Sequence, residues 1–503
     1  MSADEARLYC EAGPGVGLGH VARCLAIAEA LEEDGLCPVF ITGPGGAEAL
    51  GWMAPGRFPV RAADAADVVR GDGICAVAVM DDYGLDRARM EAIGSQARIA
   101  VVIDDMADRE LAGDLVVNPA AGSVSGVYAD AVARGARLLL GPAFAPIRAD
   151  IRSRRALDLV RRSSCEPDSG ALLVTAGGLD GRGLAPAFLS ATLDTAAASN
   201  RPVDVALGGQ ALSWPDVDAL AALHPTRVRT HRDARDMAQL YAGADVSVGP
   251  GGVALLEKLC LGVPTLAVIV AENQRPAVEG LASLGCIASV DATTNGAVSE
   301  NFQTEVQHAL DGLLGNVTKL DDMWRRGAAL VDGLGARRIV LAARPEANRD
   351  GASVTLRKFT ADDEAALLTW QREPGMRRYF RDPAVPEPAD HQAWCAARLM
   401  DPFGVCEIIL VDDRPVGMAR FDPAPDGDPD APGEVSVLVS GSEQGKGTGS
   451  AALMALRRLL RERAMRAEIH PANVASQGSF RRAGFAPISD NCVTAAALAV
   501  SGR

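Results

Sequence analysis

The chain is poor in aromatic residues, at 4% of 503, and holds only 6 histidines. Each imidazole is therefore a scarce feature whose placement carries information. The 10 cysteines include no C-x-x-C pair, which excludes a zinc ribbon and a dithiol redox motif and suits buried thiols in a reducing compartment. There is no excess of positive charge. The net charge of −15 excludes the broad basic face that a nucleic-acid partner requires. No uncharged apolar run approaches the ~18 residues that span a bilayer, so no membrane partner is expected. The opening MSADEARLYC has neither the basic nor the apolar region of an export signal, and the expected location is cytoplasmic. A G-x-G-x-x-G fingerprint is missing too. Gly13, Gly15, Gly17 and Gly19 fall at every second position, and the next apolar run, CPVFITG, ends without a ribose-binding acid. A nicotinamide site is excluded.

What is present is alternation. Short apolar runs (RLYCEA, CPVFITG, AVAVMDDYG, IAVVIDD, DLVVNP, ARLLLG) are separated by helical patterns such as HVARCLAIAEALEEDG, with Gly35 as its C-terminal cap. The polar stretch Ser153–Gly170 breaks this rhythm. A second alternation follows through ALLVTAGG, VDVALGG, VRTHRD, ADVSVGPGG, PTLAVIV and CIASVD. The pattern predicts two doubly wound parallel sheets whose ligands lie at the carboxyl ends of strands. The polar segment Ala343–Ser353 reads as a linker, and an α+β pattern runs from there almost to the end. Asp422–Gly433, rich in Asp, Pro and Gly, reads as a solvated loop between two strands.

The first glycine loop, GPGVGLGH, permits close backbone approach at Gly17 and Gly19 and offers free N–H groups at a helix start. His20 stands there. The positive end of the helix disfavours imidazolium, so the ring is suited to act as a base. The second loop, GPGGVALLEKLCLGVP, places Gly251 and Gly252 before another helix, where bare N–H groups suit a pyrophosphate.

These segments resemble the nucleotide-sugar hydrolases of pseudaminic acid (flagellin glycan) biosynthesis. Those enzymes are similar to two-domain GT-B glycosyltransferases, with water in place of the acceptor. The resemblance runs from GVGLGHVARCLAIAEAL through MDDYGLD, VIDDMADRELAGDLVVNP, LLGPAFAPIR and VTAGGLD to VGPGGVALLEKLCLGVPTLAVIVAENQ. It implies that His20 activates water, that Glu257 bonds the ribose, and that Asn273, Gln274, Tyr83 and Gly177 line the ligand site. Asp81, Asp82, Asp104 and Asp105 are candidates for sugar hydroxyl contacts or for orienting His20. Acidic pairs at strand ends also suit a divalent cation, but the resemblance carries no metal and none is expected. Two positions depart from the family pattern: Ala22 replaces a methionine, and Ala143 displaces the aromatic that is Phe144 here.

Near the C-terminus, EVSVLVSGSEQGKGTGSAALMALRRLL places Q-x-x-G-x-G (Gln444, Gly447, Gly449) between a strand and a helix. With HPANVASQGSFRRAGF it resembles the GNAT acyltransferases. The resemblance implies an acetyl-CoA site at Val437, Val439, Gln444, Gly445, Lys446, Gly447, Thr448, Gly449, Asn473 and Ser476. Glu434 is the candidate base for the substrate ammonium. WQREPGMRR and HQAWCAARL resemble members that acetylate an amino sugar on a nucleotide, with His391 as a substrate contact. Phe480 stands where many members carry a tyrosine acid, and a phenyl ring donates no proton.

The expected fold is α/β: two Rossmann-like lobes of GT-B type (1–155 and 168–345) followed by an α+β GNAT domain (352–490). The expected function is bifunctional. One part hydrolyses UDP-2,4-diacetamido-2,4,6-trideoxy-β-L-altropyranose; the other N-acetylates the precursor UDP-4-amino sugar with acetyl-CoA. The competing readings are a true GT-B glycosyltransferase, or a legionaminic-type hydrolase with a non-catalytic CoA-binding domain. Nothing in the sequence specifies an oligomeric state or the sugar's stereochemistry.

Overall fold

The computed structural model describes residues 4–13, 17–62, 73–132, 135–164, 170–177, 180–294, 297–299, 301–424, 428 and 430–498. The chain divides into two compact units, Met1–Ala336 and Arg337–Arg503.

The first unit is built on two parallel sheets. The first comprises β1 (Glu5–Cys10), β2 (Cys37–Thr42), β3 (Val60–Ala62), β4 (Cys75–Asp81), β5 (Ala97–Ile103), β6 (Leu115–Asn118) and β7 (Arg137–Leu140), in the order β3-β2-β1-β4-β5-β6-β7. The second comprises β8 (Ala171–Thr175), β9 (Val203–Leu207), β10 (Val228–Arg232), β11 (Ala244–Pro250), β12 (Thr265–Ile269) and β13 (Ala288–Asp291), in the order β10-β9-β8-β11-β12-β13. Every neighbouring pair in both is parallel. The reason is legible in the strands. β8, β9 and β12 are buried along their whole length, as strands covered by helices on both faces must be. In each sheet the winding reverses once, between β1 and β4 and between β8 and β11. Such reversals open a crevice at the carboxyl ends of the strands.

A short hairpin of β14 (Thr293–Thr294) and β15 (Ala297–Val298) follows β13. The second unit holds an eight-stranded sheet of β16 (Glu346–Ala347), β17 (Ser353–Lys358), β18 (Val405–Val411), β19 (Arg414–Asp422), β20 (Gly433–Val439), β21 (Met465–Glu468), β22 (Ala486–Pro487) and β23 (Cys492–Ala495). It is antiparallel except between β20 and β21. Those two strands pair in parallel at only two positions, Gly433 with Met465 and Glu434 with Arg466. Beyond Glu434 they part, which leaves backbone groups of β20 unpaired on one side.

Three features differ from the sequence reading. The stretch expected to break the rhythm at Ser153 continues a helix, Ala149–Ser164. Its arginines disguise it. Arg155 is buried and donates to the carbonyls of Cys260, Val331 and Ala328, and Arg162 donates to those of Leu261 and Ala244. A polar composition here marks donors to backbone carbonyls of the second sheet's neighbours. Residues 165–169 of the same stretch lie outside the described residues. The segment read as a linker, Ala343–Ser353, contains β16 and the turn into β17. The edge strand β3 went unread because all three of its residues are exposed and no apolar alternation marks it.

The helix Gly335–Ala343 delivers Arg337 and Arg338 into the second unit. The Arg338 guanidinium and the Glu407 carboxylate are both fully buried and meet at 3.2 Å (Nε to Oε2) and 2.5 Å (Nη2 to Oε1). Arg337 reaches Glu462 and the Leu459 carbonyl. Removing one partner of such a pair leaves a charge in the core, at a typical cost of about 3–5 kcal/mol. Arg338→Ala in the full chain is therefore expected to lower the second unit's unfolding free energy by that magnitude, read as a lower urea midpoint at an unchanged slope. A fragment beginning at residue 350 should be less stable than one beginning at residue 335.

Candidate functional site

The first crevice is assembled at the reversal between β1 and β4. β1 ends at Cys10, and the glycine loop leads into the helix Gly19–Glu33. Pro14, Gly15 and Val16 lie outside the described residues. Gly13 and Gly17 form a bridge, and Gly17 has φ of +80°, a left-handed conformation that a side chain would strain. This turn sets His20 as the second residue of the helix, directly over the end of β4. There Asp81 is completely buried. Its Oδ1 lies 2.5 Å from His20 Nδ1. A carboxylate only accepts, so Nδ1 is the donor in this contact.

A buried carboxylate needs more than a neutral partner. Arg23, one helical turn beyond His20 and on the same face, supplies the charge. Its Nε donates to Asp81 Oδ2 (2.8 Å) and its Nη2 to Asp81 Oδ1 (2.7 Å). Nη1 donates to Asp105 Oδ2 (2.8 Å). Burial works against the Arg23 charge, but the two carboxylates outweigh it and hold the guanidinium well above its ordinary value. Burial likewise opposes ionisation of Asp105, and Arg23 overcomes it, keeping that carboxyl below the ordinary range. The sequence reading did not single out Arg23. The i, i+3 spacing from His20 was the available signal.

Tyr83 closes this cluster on the solvent side. Its hydroxyl donates to Asp105, and its ring meets the His20 ring at 4.5 Å between centroids and 86° between planes. Burial, and then the Asp105 charge, raise the phenol's pKa. Tyr83 is 44% exposed while His20 is 3% exposed, so the tyrosine is the outer member of this edge-on ring pair. Asp104 faces elsewhere, which removes the alternative that it orients His20. Its Oδ2 accepts from Ala107 N (2.7 Å) and the Tyr128 hydroxyl (3.0 Å), and its Oδ1 pairs with Arg109 (3.1 Å). It braces the loop after β5 and has no bond to His20. Asp82 accepts from Gly84 N in a local turn (2.7 Å).

The second crevice lies at the reversal between β8 and β11. Gly177, after β8, has φ of +79°; Gly178 and Leu179 lie outside the described residues. Gly251 is packed so closely that a Cβ there would stand 2.1 Å from Val278 Cγ2, and next to Gln274. Gly252 precedes the short helix Ala254–Cys260. A Cβ on Gly19 would lie 3.0 Å from Val253 Cγ2. The two glycine turns, one from each sheet, therefore meet within van der Waals distance. Asn273 is exposed and Gln274 accepts from Val270 N (3.2 Å).

Glu257 falls in the first turn of its helix, earlier than its expected place one and a half turns in. It is buried, and Arg148 Nε donates to it at 3.0 Å. Arg148 belongs to the LLGPAFAPIR segment, so this ion pair joins the two halves of the unit. A ribose hydroxyl at Glu257 would share it with Arg148. Lys258, unmarked in the sequence reading, is 1% exposed. Its Nζ donates to Thr175 Oγ1 (2.9 Å), and no carboxylate bonds it among the described residues. Burial drops its pKa from 10.5 to about 8, against a smaller pull upward from Glu257. The ammonium lies under the end of β8, two residues before Gly177.

In the second unit, Glu434 sits where β20 and β21 part. Arg381 Nη2 donates to Glu434 Oε1 (2.9 Å) and to Glu468 Oε2 (2.8 Å), bridging one carboxylate from each strand. The Tyr379 and His470 rings lie 5.2 Å apart. Neither Arg381 nor this ring pair was singled out in the sequence. Val437 and Val439 continue β20 toward the glycine loop. Gly445 and Gly447 have φ of +81° and +86°, and the helix Thr448–Leu459 begins immediately. Gln444 Nε2 donates to the Val439 carbonyl (3.1 Å) and Lys446 Nζ to Glu443 (3.2 Å). Gly449 has room beside Ser479 and Val439. Asn473 caps the next helix by accepting from Ser476 N (3.1 Å). Positive-φ glycines before a twelve-residue helix leave an open, N–H-rich cradle that suits the pyrophosphate of CoA.

Two residues marked in the sequence lie inside the core of this unit. His391 is buried; its Nε2 donates to the Glu364 carbonyl (3.0 Å) and its Nδ1 faces the Gln371 amide (3.4 Å). Both of its nitrogens are engaged inside the core, where it packs between helices. Phe480 is also buried, edge-on to Phe485 at 4.9 Å.

Residues 353–486 match the family described as Acetyltransferase (GNAT) domain. This part of the chain is a GNAT acetyltransferase domain. Similar solved structures include the aminoglycoside acetyltransferase AAC(6')-Ib in complex with paromomycin and acetyl-CoA: 24% identity, 28% of this chain and 90% of that one covered, TM-score 0.25. They also include RimJ of Mycobacterium smegmatis in complex with CoA-disulfide (17%, 30% and 85%, 0.26) and the GNAT domain of PAT from S. lividans (25%, 30% and 94%, 0.25). No curated protein matches the chain.

Lys258 generates a stability prediction. Its proton is held by both folded and unfolded chains below about pH 8. Between there and about 10.5, the unfolded value, only the unfolded chain holds it. The unfolded state binds more protons in that window, so stability rises as pH rises through it. Lys258→Met is expected to stabilise the first unit at pH 7, by up to about 3 kcal/mol, and to remove its share of the rise above pH 8. Urea denaturation at pH 7, 8 and 9.5 checks both.

Proposed function

We propose that the chain is a bifunctional enzyme, a UDP-sugar hydrolase in its first unit and an N-acetyltransferase of the precursor amino sugar in its second. The observation that carries the first half is the buried His20–Asp81 pair at the β1/β4 reversal, facing the Gly251–Gly252 turn across the Gly19–Val253 contact. On this reading the unit is of the GT-B type. Gly17, Gly19, Gly177, Gly251 and Gly252 let a diphosphate approach the backbone closely, Glu257 and Arg148 meet the ribose, and Asp105 and Tyr83 flank the sugar. Asp81 holds the Nδ1 proton, so Nε2 takes a proton from water. The water oxygen forms a bond to the anomeric carbon, the bond from that carbon to the diphosphate oxygen breaks, and its electron pair leaves with UDP. Lys258 and the turn amides favour the charge that develops on the leaving group.

In the second unit, Glu434 accepts a proton from the acceptor ammonium, directly or through water, and frees the amine. Acetyl-CoA, held by Gln444, Gly445, Lys446, Gly447, Thr448 and Gly449, supplies an acyl group activated as a thioester: the amine nitrogen bonds the carbonyl carbon, the C–S bond breaks, and the sulfur leaves as CoA thiol with the proton the amine gives up. Arg381 bonds Glu434 in the structure and must yield it when an ammonium arrives. The acceptor on this reading is the UDP-4-amino sugar. Arg378, stacked on Tyr379, and Arg381 would receive its anionic part.

Two measurements test this. Mass spectrometry of UDP-2,4-diacetamido-2,4,6-trideoxy-β-L-altropyranose incubated with the full chain in water alone should show free sugar and UDP. His20→Ala should slow release by ~100-fold or more while UDP affinity is retained; undiminished turnover rejects the base assignment. UDP release that requires an added alcohol acceptor would instead identify a glycosyltransferase. For the second unit, Glu434→Gln should lower acetyl transfer to the 4-amino sugar nucleotide by ~100-fold, with a smaller deficit at high pH, where the free amine is already present.

A further inference from the structure

The segment Ala343–Ser353 lies ahead of the residues that match the GNAT family, yet it folds against the acetyl-CoA loop. Asn348 organises a turn. Its Oδ1 accepts from Asp350 N (3.0 Å) and Ala352 N (2.9 Å), and its main-chain N–H donates to the Ala352 carbonyl (3.0 Å). The same buried side chain turns its Nδ2 toward Thr448 Oγ1 (3.4 Å), at the first residue of the helix after the loop.

The next residue touches the loop itself. The main-chain N–H of Arg349 donates to the Lys446 carbonyl at 2.8 Å, and its Nη1 to the Gly445 carbonyl at 3.5 Å. Its Cγ lies 2.9 Å from where a Cβ on Gly447 would be. Arg349 therefore engages two successive carbonyls of the Q-x-x-G-x-G loop and packs under its second positive-φ glycine. Peptide carbonyls and N–H groups of one loop compete for direction. Carbonyls drawn back onto Arg349 leave the N–H groups free to face the other way. The segment is also tied down upstream, where Arg458 Nη1 donates to the Arg344 carbonyl (2.9 Å) and to Glu346 (2.8 Å).

We infer that Asn348 and Arg349 are positioning residues for acetyl-CoA: the turn they form holds the pyrophosphate loop in its binding conformation from behind. The inference rests on the reading of that loop as the CoA site. It assigns the turn a role separate from the Glu434 chemistry and from any contact with the acyl acceptor.

Isothermal titration of the full chain with CoA and with dephospho-CoA, which keeps the pyrophosphate and lacks the 3′-phosphate, separates the outcomes. Arg349→Ala and Asn348→Ala should each weaken both ligands by about tenfold, the factor of one lost hydrogen bond, and by the same factor for each ligand. Arg349→Lys should recover part of the loss. The urea midpoint of ligand-free Arg349→Ala should match the parent, since that side chain is exposed. Parent-like affinities in both alanine variants overturn the inference. So does a loss confined to CoA, which would make Arg349 a direct partner of the 3′-phosphate. If the parent chain binds neither ligand, the CoA reading of the loop falls first and the inference with it.

Discussion

Asp81 is the constraint around which the first unit is arranged. A carboxylate with no exposed surface at a strand end is costly unless charge and hydrogen bonds meet it. Three donors do so, and all come from one helix: Nδ1 of His20 and two nitrogens of Arg23. That demand fixes the helix's rotation about its axis and its depth against β4. It also makes Nδ1 of His20 the donor, because the carboxylate can only accept. Asp105 then takes the remaining Arg23 nitrogen, and Tyr83 takes Asp105. A chain of single dependencies thus runs from a buried charge to the tyrosine packed edge-on against the imidazole.

The second sheet contributes charge of the opposite sign. Lys258 is buried with one hydroxyl partner, and its ammonium depresses stability around neutral pH. A site for an anion gives a physical reason to keep such a group, since a diphosphate at the neighbouring turns would favour its charged form. The glycines around it act sterically. Gly19 lies where a side chain would push Val253 beside the second turn, so its missing Cβ permits the two turns to approach, while Gly251 lies where one would push Val278 of the helix Arg275–Ser283.

The second unit shows the same division between carbonyls and N–H groups on a smaller scale. Arg349 and Gln444 occupy carbonyls on or beside its loop, which on the reading above leaves the loop's N–H groups for a ligand. The buried pair of Arg338 and Glu407 extends the folded unit upstream of the matched family residues, so the unit's boundary follows electrostatics. Glu434 and Glu468, brought together by the parting of β20 and β21, are bridged by Arg381.

The sequence by itself determined the buried strands of the first unit, their parallel packing and the two glycine turns, because buried parallel strands are apolar and tight turns favour glycine; the exposed β3 and the short β16 carried no such mark. Local pattern also marked His20 and the Q-x-x-G-x-G loop, and the GNAT resemblance marked Glu434. It left open what long-range approach decides. Asp81 and Asp104 end adjacent strands and look alike in one dimension; only the fold gives one of them to His20 and the other to Tyr128 and Arg109. His391 has the composition of a ligand-binding histidine and is taken into the core by the Glu364 carbonyl. Arg23, Lys258 and Arg349 sit on ordinary helix and loop patterns. Their roles come from partners 58, 83 and 97 residues away, counted from Asp81, Thr175 and Lys446, and no local pattern encodes a contact at that distance.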